Sequence, residues 1–445
     1  MIQAPGTPPP FRKPSSLHRA VGASALGNAV EWFDYGIYAY GVTYISAALF
    51  PGDTEEAVLF ALATFAISFL VRPLGGLFWG PLGDRVGRKS VLAMTILLMA
   101  AATFFVGLIP SYDSIGFWAP ALLVALRMLQ GFSTGGEYGG AATFMAEYAP
   151  DDRRGFYGSF LEFGTLAGFS FGAALMLGYS IHLGDQAMHD WGWRIPFLIA
   201  GPIGLVGMYV RSKLEDTPIF LEQMEAAERR PAPGMMALAR QHWRPLLVVS
   251  GLVVALNVVN YTLLSYMPTY LQRRIGLSNE EALVVPIIGM LFMMLFLPFA
   301  GALSDRIGRR PMWRWSLIGL LVFVVPLYML IGTGFAGAIA GFMLLGLLYV
   351  PQLATISATF PAMFPTAVRF AGFAIAYNIS TSIFGGTAPI VGSGLISLTG
   401  DPLMPAYYMM LACLVGLVAL RFMPETAGRS LREDPFGPAT SPVDK

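Results

Sequence analysis

The stretch Gly80-Pro-Leu-Gly-Asp-Arg-Val-Gly-Arg-Lys89 recurs, 221 residues further on, as Gly301-Ala-Leu-Ser-Asp-Arg-Ile-Gly-Arg-Arg310. Each copy is wedged between two long apolar stretches. An internal repeat constrains architecture before any local reading does. This one demands two like halves, each with a short cationic turn between its second and third apolar segments. In a membrane, such halves imply a transporter that rocks one half against the other round a central site.

Hydrophobic residues make up 55% of the 445 residues and charged residues 12%, where soluble domains carry about a quarter charged. A mean hydropathy of +0.61 over this length calls for lipid as solvent rather than one buried core. The net charge of +1 gives no reason to expect a nucleic-acid partner. A single cysteine, Cys413, excludes an intrachain disulfide, and no His/Cys cluster suggests a metal. The first 19 residues are polar and Pro-rich. No cleavable signal is expected there, so the first apolar segment should direct insertion.

Apolar segments of about 20 residues or more span a bilayer as helices. The sequence has twelve: 20–48, 57–80, 90–109, 117–146, 155–180, 192–211, 245–271, 282–303, 313–332, 334–357, 370–397 and 403–423. The expected fold is an all-α membrane protein of twelve transmembrane helices in two pseudo-symmetric six-helix bundles. Residues 1–19 form an N-terminal tail, 20–211 the first bundle, 212–244 a connector, 245–423 the second bundle and 424–445 a C-terminal tail. The connector reads as a surface helix followed by a Pro-rich turn at Pro231-Ala-Pro-Gly234. Lysine and arginine crowd the loops after even-numbered segments, the N-terminal tail and the connector, with Arg194, Arg273 and Arg274 as exceptions. This bias predicts both termini and the connector on the cytoplasmic side of the cell membrane.

A charge inside a membrane helix costs a few kcal/mol or more, so each needs a reason. Segment 1 carries Glu31 and Asp34, segment 2 Arg72, segment 4 Arg127 and Glu137, and segment 5 Glu162. The second half offers neutral groups: Asn257, Asn260, Tyr261, Gln352, Tyr377 and Asn378 among them. Proton chemistry is therefore expected in the first half. Glu31 and Asp34 share a face of segment 1 and should not both stay ionised in low dielectric. Glu31, Asp34, Glu137 and Glu162 are the candidates for carrying a coupled proton. Arg127 lies about 14 Å from its helix end at about 1.5 Å per residue, near the bilayer middle, and shares a stripe with Gln130, Thr134 and Glu137. It reads either as a partner for a substrate carboxylate or as a structural ion pair between segments 1, 4 and 5.

Trp32, Phe33, Tyr35, Tyr38, Tyr138, Tyr261, Tyr266 and Tyr377 gather around these positions. Aromatic faces hold quaternary ammonium groups, and they also pack helices. Gly131, Gly135 and Gly139, with Gly136 and Gly140, suggest close helix approach. Gly83-Asp-Arg-Val-Gly-Arg-Lys-Ser90 misses phosphate-loop spacing by one residue and follows no strand. No nucleotide site is expected.

The two decapeptides resemble the loop signature of the major facilitator superfamily, as do Arg127-Met-Leu-Gln-Gly131 and Pro424-Glu-Thr-Ala-Gly428 in their places. More narrowly, Gly27-Asn-Ala-Val-Glu-Trp-Phe-Asp34, Arg72-Pro-Leu-Gly-Gly76, Gln130-Gly-Phe-Ser-Thr-Gly-Gly-Glu-Tyr138 and Asp190-Trp-Gly-Trp-Arg-Ile-Pro-Phe197 are similar to the metabolite:proton symporter family over residues 20–430. Ala255-Leu-Asn-Val-Val-Asn-Tyr261 and Tyr266-Met-Pro-Thr-Tyr270 look most like its proline/betaine branch. Some members carry a C-terminal coiled coil; this sequence ends at Lys445, so osmotic activation through one is not carried over.

The resemblance implies proton-coupled uptake of a small zwitterion or carboxylate, proline or glycine betaine first, with the proton as coupling ion and no cofactor or enzyme activity. Substrate candidates are Arg127, Gln130, Trp32, Tyr35, Tyr138, Asn257, Asn260, Tyr261, Tyr377 and Asn378. Asp84, Arg85 and Arg88, with Asp305, Arg306 and Arg309, would close a cytoplasmic gate through salt bridges. No oligomer is required. A dicarboxylate or citrate symporter is the nearest rival; it would want a second buried cation, and Arg72 is expected nearer the cytoplasmic end. A transporter-like nutrient sensor is a rival of another class.

Overall fold

The computed structural model describes residues 14–52, 55–86, 88–135, 137–212, 238, 240–431 and 436. Most of the predicted connector, at 213–237, therefore lies outside the described residues. Among those described, the regular elements are all helical, as lipid requires when every backbone amide must be bonded internally.

Twelve spans run in order. α1 is Pro14–Tyr40, continued by Val42–Leu49; α2 is Glu55–Val86; α3 is Arg88–Val106; α4 is Trp118–Thr134 then Glu137–Tyr148. α5 is Arg154–Leu183 and α6 Arg194–Ser212. α7 begins as Trp243–Tyr261 and reaches Ile275; α8 is Asn279–Ile307, α9 Arg309–Ile331, and α10 Phe335–Leu353 with Ile356–Thr359. α11 runs from Arg369 to Thr399 and α12 is Met404–Phe422. Eight are long and apolar enough to cross a membrane by composition, and parts of α3 and α6 are shorter apolar helices. The two left over, α1 and α4, hold Glu31, Asp34, Arg127 and Glu137.

The packing is duplicated. In the first bundle α1 lies on α5 and α6, α2 on α4, and α3 on α4 and α6. In the second, α7 lies on α11 and α12, α8 on α10, and α9 on α10 and α12. The halves meet where α5 crosses α8 and α2 crosses α11. Exchanging the halves maps one of these crossings onto the other, the signature of a pseudo-two-fold axis.

Both ends of the crossing are latched. At the end bearing the termini, the Asp305 carboxylate closes α8 and accepts the amides of Gly155 and Phe156 at 2.8 and 2.9 Å. It thereby caps the N-terminus of α5 in the other half. Gly155 admits this approach: a Cβ there would lie 2.4 Å from the Gly301 carbonyl oxygen. Arg309 donates to Asp305 at 2.6 Å, and Glu147 pairs with Arg369 at 3.3 Å. The tail returns to this end. Glu425 accepts the amides of Arg309 and Arg310 at 2.9 and 3.0 Å. Gly308, at φ 99°, fits beneath it, since a Cβ would meet Glu425 at 2.6 Å.

Arg154 and Arg369 are structural twins. Each donates from Nε to a carbonyl eight residues earlier, that of Ala146 at 3.1 Å and of Pro361 at 3.2 Å. Each also holds the tail, Arg154 at the Arg429 carbonyl and Arg369 at the Leu431 carbonyl. At the far end, Arg274 on α7 pairs with Glu55 on α2, Thr43 donates to Gln272 at 2.6 Å, and Asn279 donates to Tyr44. Arg194 donates to the Ile109 carbonyl at 2.8 Å. Arg194 and Arg274, two of the exceptions to the charge bias, thus have fixed partners.

Candidate functional site

Close helix packing assembles the first network. α4 lies so tightly on α2 that a Cβ on Gly131 or Gly135 would come within 1.7 Å of the Ser68 carbonyl oxygen or 2.1 Å of that of Arg72. The expected role of these glycines is therefore met. Backbone contact at this crossing brings three polar residues of α2 and α4 against Tyr35 of α1. Arg72 donates to Thr134 at 3.0 Å and to Glu31 at 3.1 Å. Arg127 donates to Gln130 and, at 3.2 Å, to Ser68. The two guanidinium carbons lie 5.0 and 5.4 Å from the Tyr35 ring centroid, while the Tyr35 hydroxyl bonds Thr134 at 3.0 Å. Arg127 also sits 4.1 Å over Tyr38.

One expectation is corrected here. Arg72 does not lie towards the end of the bundle: it shares the Tyr35 ring with Arg127, so the site holds two cations. The reason is that α2 continues to Val86, which places residue 72 well inside it. Glu31 and Asp34, one helical turn apart, have different hydrogen-bond partners. Glu31 meets Arg72 on α2, whereas Asp34 accepts the Thr103 hydroxyl of α3 at 3.1 Å. Three residues turn a helix by about 300°, so the two lie about 60° apart on one face, close enough to act on each other while bonding different neighbours. Glu137 opens the second described piece of α4. Glu137 is buried there.

Thr103 links Asp34 to the rest: it accepts from Gln130 at 3.0 Å, and Gln130 accepts from Arg127. Arg72, Arg127, Glu31, Asp34 and Glu162 are all 1–2% exposed.

Beside this network lies an aromatic cluster at the meeting of the bundles. Tyr261 of α7 reaches Trp32, Phe65 and Phe69, with centroids 6.0, 6.3 and 5.1 Å away. Tyr35 is 4.8 Å from Phe69 and 5.8 Å from Trp32, and Arg72 stands 4.6 Å over Phe69. The Tyr261 hydroxyl is buried with no hydrogen-bond partner among the described residues.

A second network centres on Glu162 of α5. Tyr138 donates to one carboxylate oxygen and Thr165 to the other at 3.0 Å. Asn28 donates to Thr165 at 2.6 Å and accepts from the Trp32 indole at 3.2 Å, joining this network to the aromatic cluster. Tyr138 stacks on Tyr377 of α11, 4.5 Å between centroids and 16° between planes. Asn378 donates to the Gly135 carbonyl at 2.8 Å, so it ties α11 to α4.

Asn257 and Asn260 do not join either network. Asn257 donates to Thr381 at 2.8 Å and Asn260 accepts from Tyr349 at 3.0 Å, both within the second bundle. Among the gate candidates, Asp305 and Arg309 form the latch described above and Arg306 is exposed. Across the halves the Asp305 carboxylate accepts two backbone amides while it pairs with Arg309 of its own half, and Glu147 with Arg369 adds a salt bridge between the halves. The side chains of Asp84, Arg85 and Arg88 lie outside the described residues. Sequence reasoning missed Phe65, Phe69, Asn28, Ser68, Thr103 and Thr165 as site residues. The signals available were slight: an aromatic pair four residues apart on α2, and polar residues one helical turn from Trp32 and from Glu162.

The arrangement resembles known proteins closely. The Escherichia coli (strain K12) "Proline/betaine transporter" is 44% identical over 426 residues, covering 94% of this chain and 85% of its own. The Dickeya dadantii "Glycine betaine/proline/ectoine/pipecolic acid transporter OusA" matches equally, and the Corynebacterium glutamicum "Ectoine/proline transporter ProP" is 42% identical over 94% of this chain and 86% of its own. In fold, the proton:xylose symporter XylE bound to 6-bromo-6-deoxy-D-glucose superposes with a TM-score of 0.73 at 19% identity, covering 94% of this chain and 98% of that one. The xylose transporter XylE from E. coli in a partially occluded inward open conformation gives 0.70 at 18% identity, covering 94% of this chain and 100% of that one. The model of the Major Facilitator Superfamily matches residues 25–385 and 295–445. With the duplicated packing and the twelve spans, these matches identify the chain as a multi-pass membrane transporter that belongs to the major facilitator superfamily.

Proposed function

We propose that this protein takes up a small zwitterion, proline or glycine betaine, together with a proton. One observation carries the reading. Where the bundles meet, two guanidinium groups flank the Tyr35 ring, and that ring belongs to a cluster with Trp32, Phe69 and Tyr261. A zwitterion needs such a juxtaposition: a guanidinium for its carboxylate and aromatic faces for its ammonium. The names of relatives at 44% identity support it.

The proton is the coupling ion in this reading and one of the buried acids of the first bundle carries it. A proton moving down about 100 mV supplies roughly 2.3 kcal/mol, about 50-fold accumulation, with no nucleotide. Both bundles and the site lie in one chain, so the mechanism needs no oligomer and no nucleic acid. The lysine and arginine bias supports a cell-membrane orientation with both termini and the connector cytoplasmic. The latch at Asp305 is then the cytoplasmic gate, and the Arg274–Glu55 pair the outer one.

A second reading has its own observation. Two buried cations beside one ring also suit a dicarboxylate such as 2-oxoglutarate. Uptake of labelled proline, glycine betaine and 2-oxoglutarate into transport-deficient cells separates the two. Proline or glycine betaine should accumulate, and a protonophore should abolish the accumulation. Accumulation of 2-oxoglutarate alone would replace the first reading with the second.

A further inference from the structure

The acids of the first bundle are not equivalent. Glu31 faces a guanidinium at 3.1 Å, and an arginine only donates. Protonating Glu31 would break that pair in a buried site. Asp34 is held through Thr103 and Gln130 by α3 and α4 of its own bundle. Glu162 differs on both counts. Both of its hydrogen-bond donors are hydroxyls. A hydroxyl rotates, so Tyr138 can donate to the carboxylate and accept from the carboxylic acid. Both protonation states are then served without moving a heavy atom.

Glu162 also lies where the other bundle can govern it. Tyr138, one of its two donors, is stacked face to face on Tyr377 of α11, and the neighbouring Asn378 binds the Gly135 carbonyl of α4. On its other side, Thr165 and Asn28 run to Trp32 of the aromatic cluster. The titratable groups facing Glu162 are phenols: Tyr138 of α4, Tyr349 of α10 and Tyr377 of α11. α1 presents the neutral Asn28 and Trp32. α8 brings Asp305 to the first turn of α5, where its carboxylate is engaged by the amides of Gly155 and Phe156 and by Arg309. Glu162 sits about 10 Å along α5 from those amides at about 1.5 Å per residue.

We propose that Glu162 is the residue that carries the coupled proton, and that the Tyr138–Tyr377 stack is the gate that admits water to it when the bundles part at the termini-bearing end. This rests on the symport reading above. The step is a simple proton transfer: hydronium from the far side gives its proton to a carboxylate oxygen of Glu162 and becomes water, and water admitted past the stack at the termini-bearing end takes that proton off as hydronium. Trp32 passes the state of Glu162 to the substrate cluster through Asn28 and Thr165, which makes those two positioning residues.

The test uses the full chain in proteoliposomes with glycine betaine and an imposed proton gradient. Wild-type vesicles should reach an accumulation ratio of about 50 at about 100 mV, and E162Q vesicles should level off near unity while retaining measurable counterflow. Y377L should lose accumulation through proton leak, and Y377F, which keeps the stacked ring, should lose less; equal loss in the two overturns the gate. Accumulation by E162Q at the wild-type level overturns the assignment. A second measurement needs no substrate and covers failure of E162Q to fold or of the substrate reading. In pH-difference infrared spectra of the substrate-free protein, the carbonyl band of a protonated buried carboxyl should vanish in E162Q, shift in E162D and persist in D34N. Persistence in E162Q or E162D, unshifted, overturns the proposal. Absence of glycine betaine uptake by wild type, with the band behaving as stated, overturns the symport reading and leaves Glu162 as the titrating acid.

Discussion

The two bundles pack alike and are filled differently. Inside the first, Arg72, Arg127, Glu31, Asp34 and Glu162 are buried and joined by hydroxyls and an amide. Inside the second, the corresponding bonds are neutral: Asn257 to Thr381, Tyr349 to Asn260, and Gln352 to Ser316 at 2.8 Å. Charges in low dielectric hold geometry firmly because misplacing them is costly. Neutral bonds can be exchanged at little loss. The first bundle is thus a fixed electrostatic template, and the second is an adaptable wall that closes on it through Tyr261 and Tyr377.

The sharpest way to break this contrast is to remove one member of a charged pair. Arg72→Gln leaves the Glu31 carboxylate without its guanidinium and should destabilise the folded protein by about 3–5 kcal/mol, measured as thermal unfolding in detergent. Adding Glu31→Gln should recover most of that loss. If the single and double variants unfold together, the pair is not what holds the template. Arg127→Gln should weaken glycine betaine binding by about a hundredfold, or about 2.7 kcal/mol, with Arg127→Lys between because the charge survives and the fork does not. An unchanged binding constant would restrict Arg127 to packing Tyr38.

Asp305→Asn removes charge from two amide bonds and one arginine contact, worth about 1.5–3 kcal/mol to the latch. Uptake should fall while the protein remains folded and inserted; wild-type uptake at normal expression would dismiss the latch. The smallest effect is expected in the second bundle. Asn257→Ala, which deletes one neutral bond, should cost about 1 kcal/mol and leave coupling intact. A cost equal to that of Arg72→Gln would erase the distinction between the halves.

Much of this was legible in the sequence. The repeat at 80–89 and 301–310 announced two halves, apolar lengths located the twelve spans to within several residues, and the confinement of acids to segments 1, 4 and 5 foretold the asymmetry. What stayed hidden depends on crossings between helices. Linear spacing put Glu31 beside Asp34, but their partners are chosen by α2 and α3. The apolar count ended segment 2 at residue 80, whereas the helix runs to Val86, so the depth of Arg72 was misjudged. Phe65 and Phe69 carried no signal of their own, because it is α7 that delivers Tyr261 to them. The two amides that Asp305 accepts stayed hidden because a helix N-terminus carries no letter in a sequence.

The tail between Glu425 and Leu431 has a mechanical consequence. Its carbonyls are gripped by twin arginines on opposite bundles, so any parting of this end must release at least one grip. By linkage, anything that draws the tail away favours the parted state by the free energy of the bond it replaces. At about 1.5–3 kcal/mol for a bond to a charged group, that is roughly a ten- to hundredfold change in population. A fluorophore joined just beyond Leu431 would therefore move with the transport cycle, and a ligand for the tail would act as a throttle without touching the site.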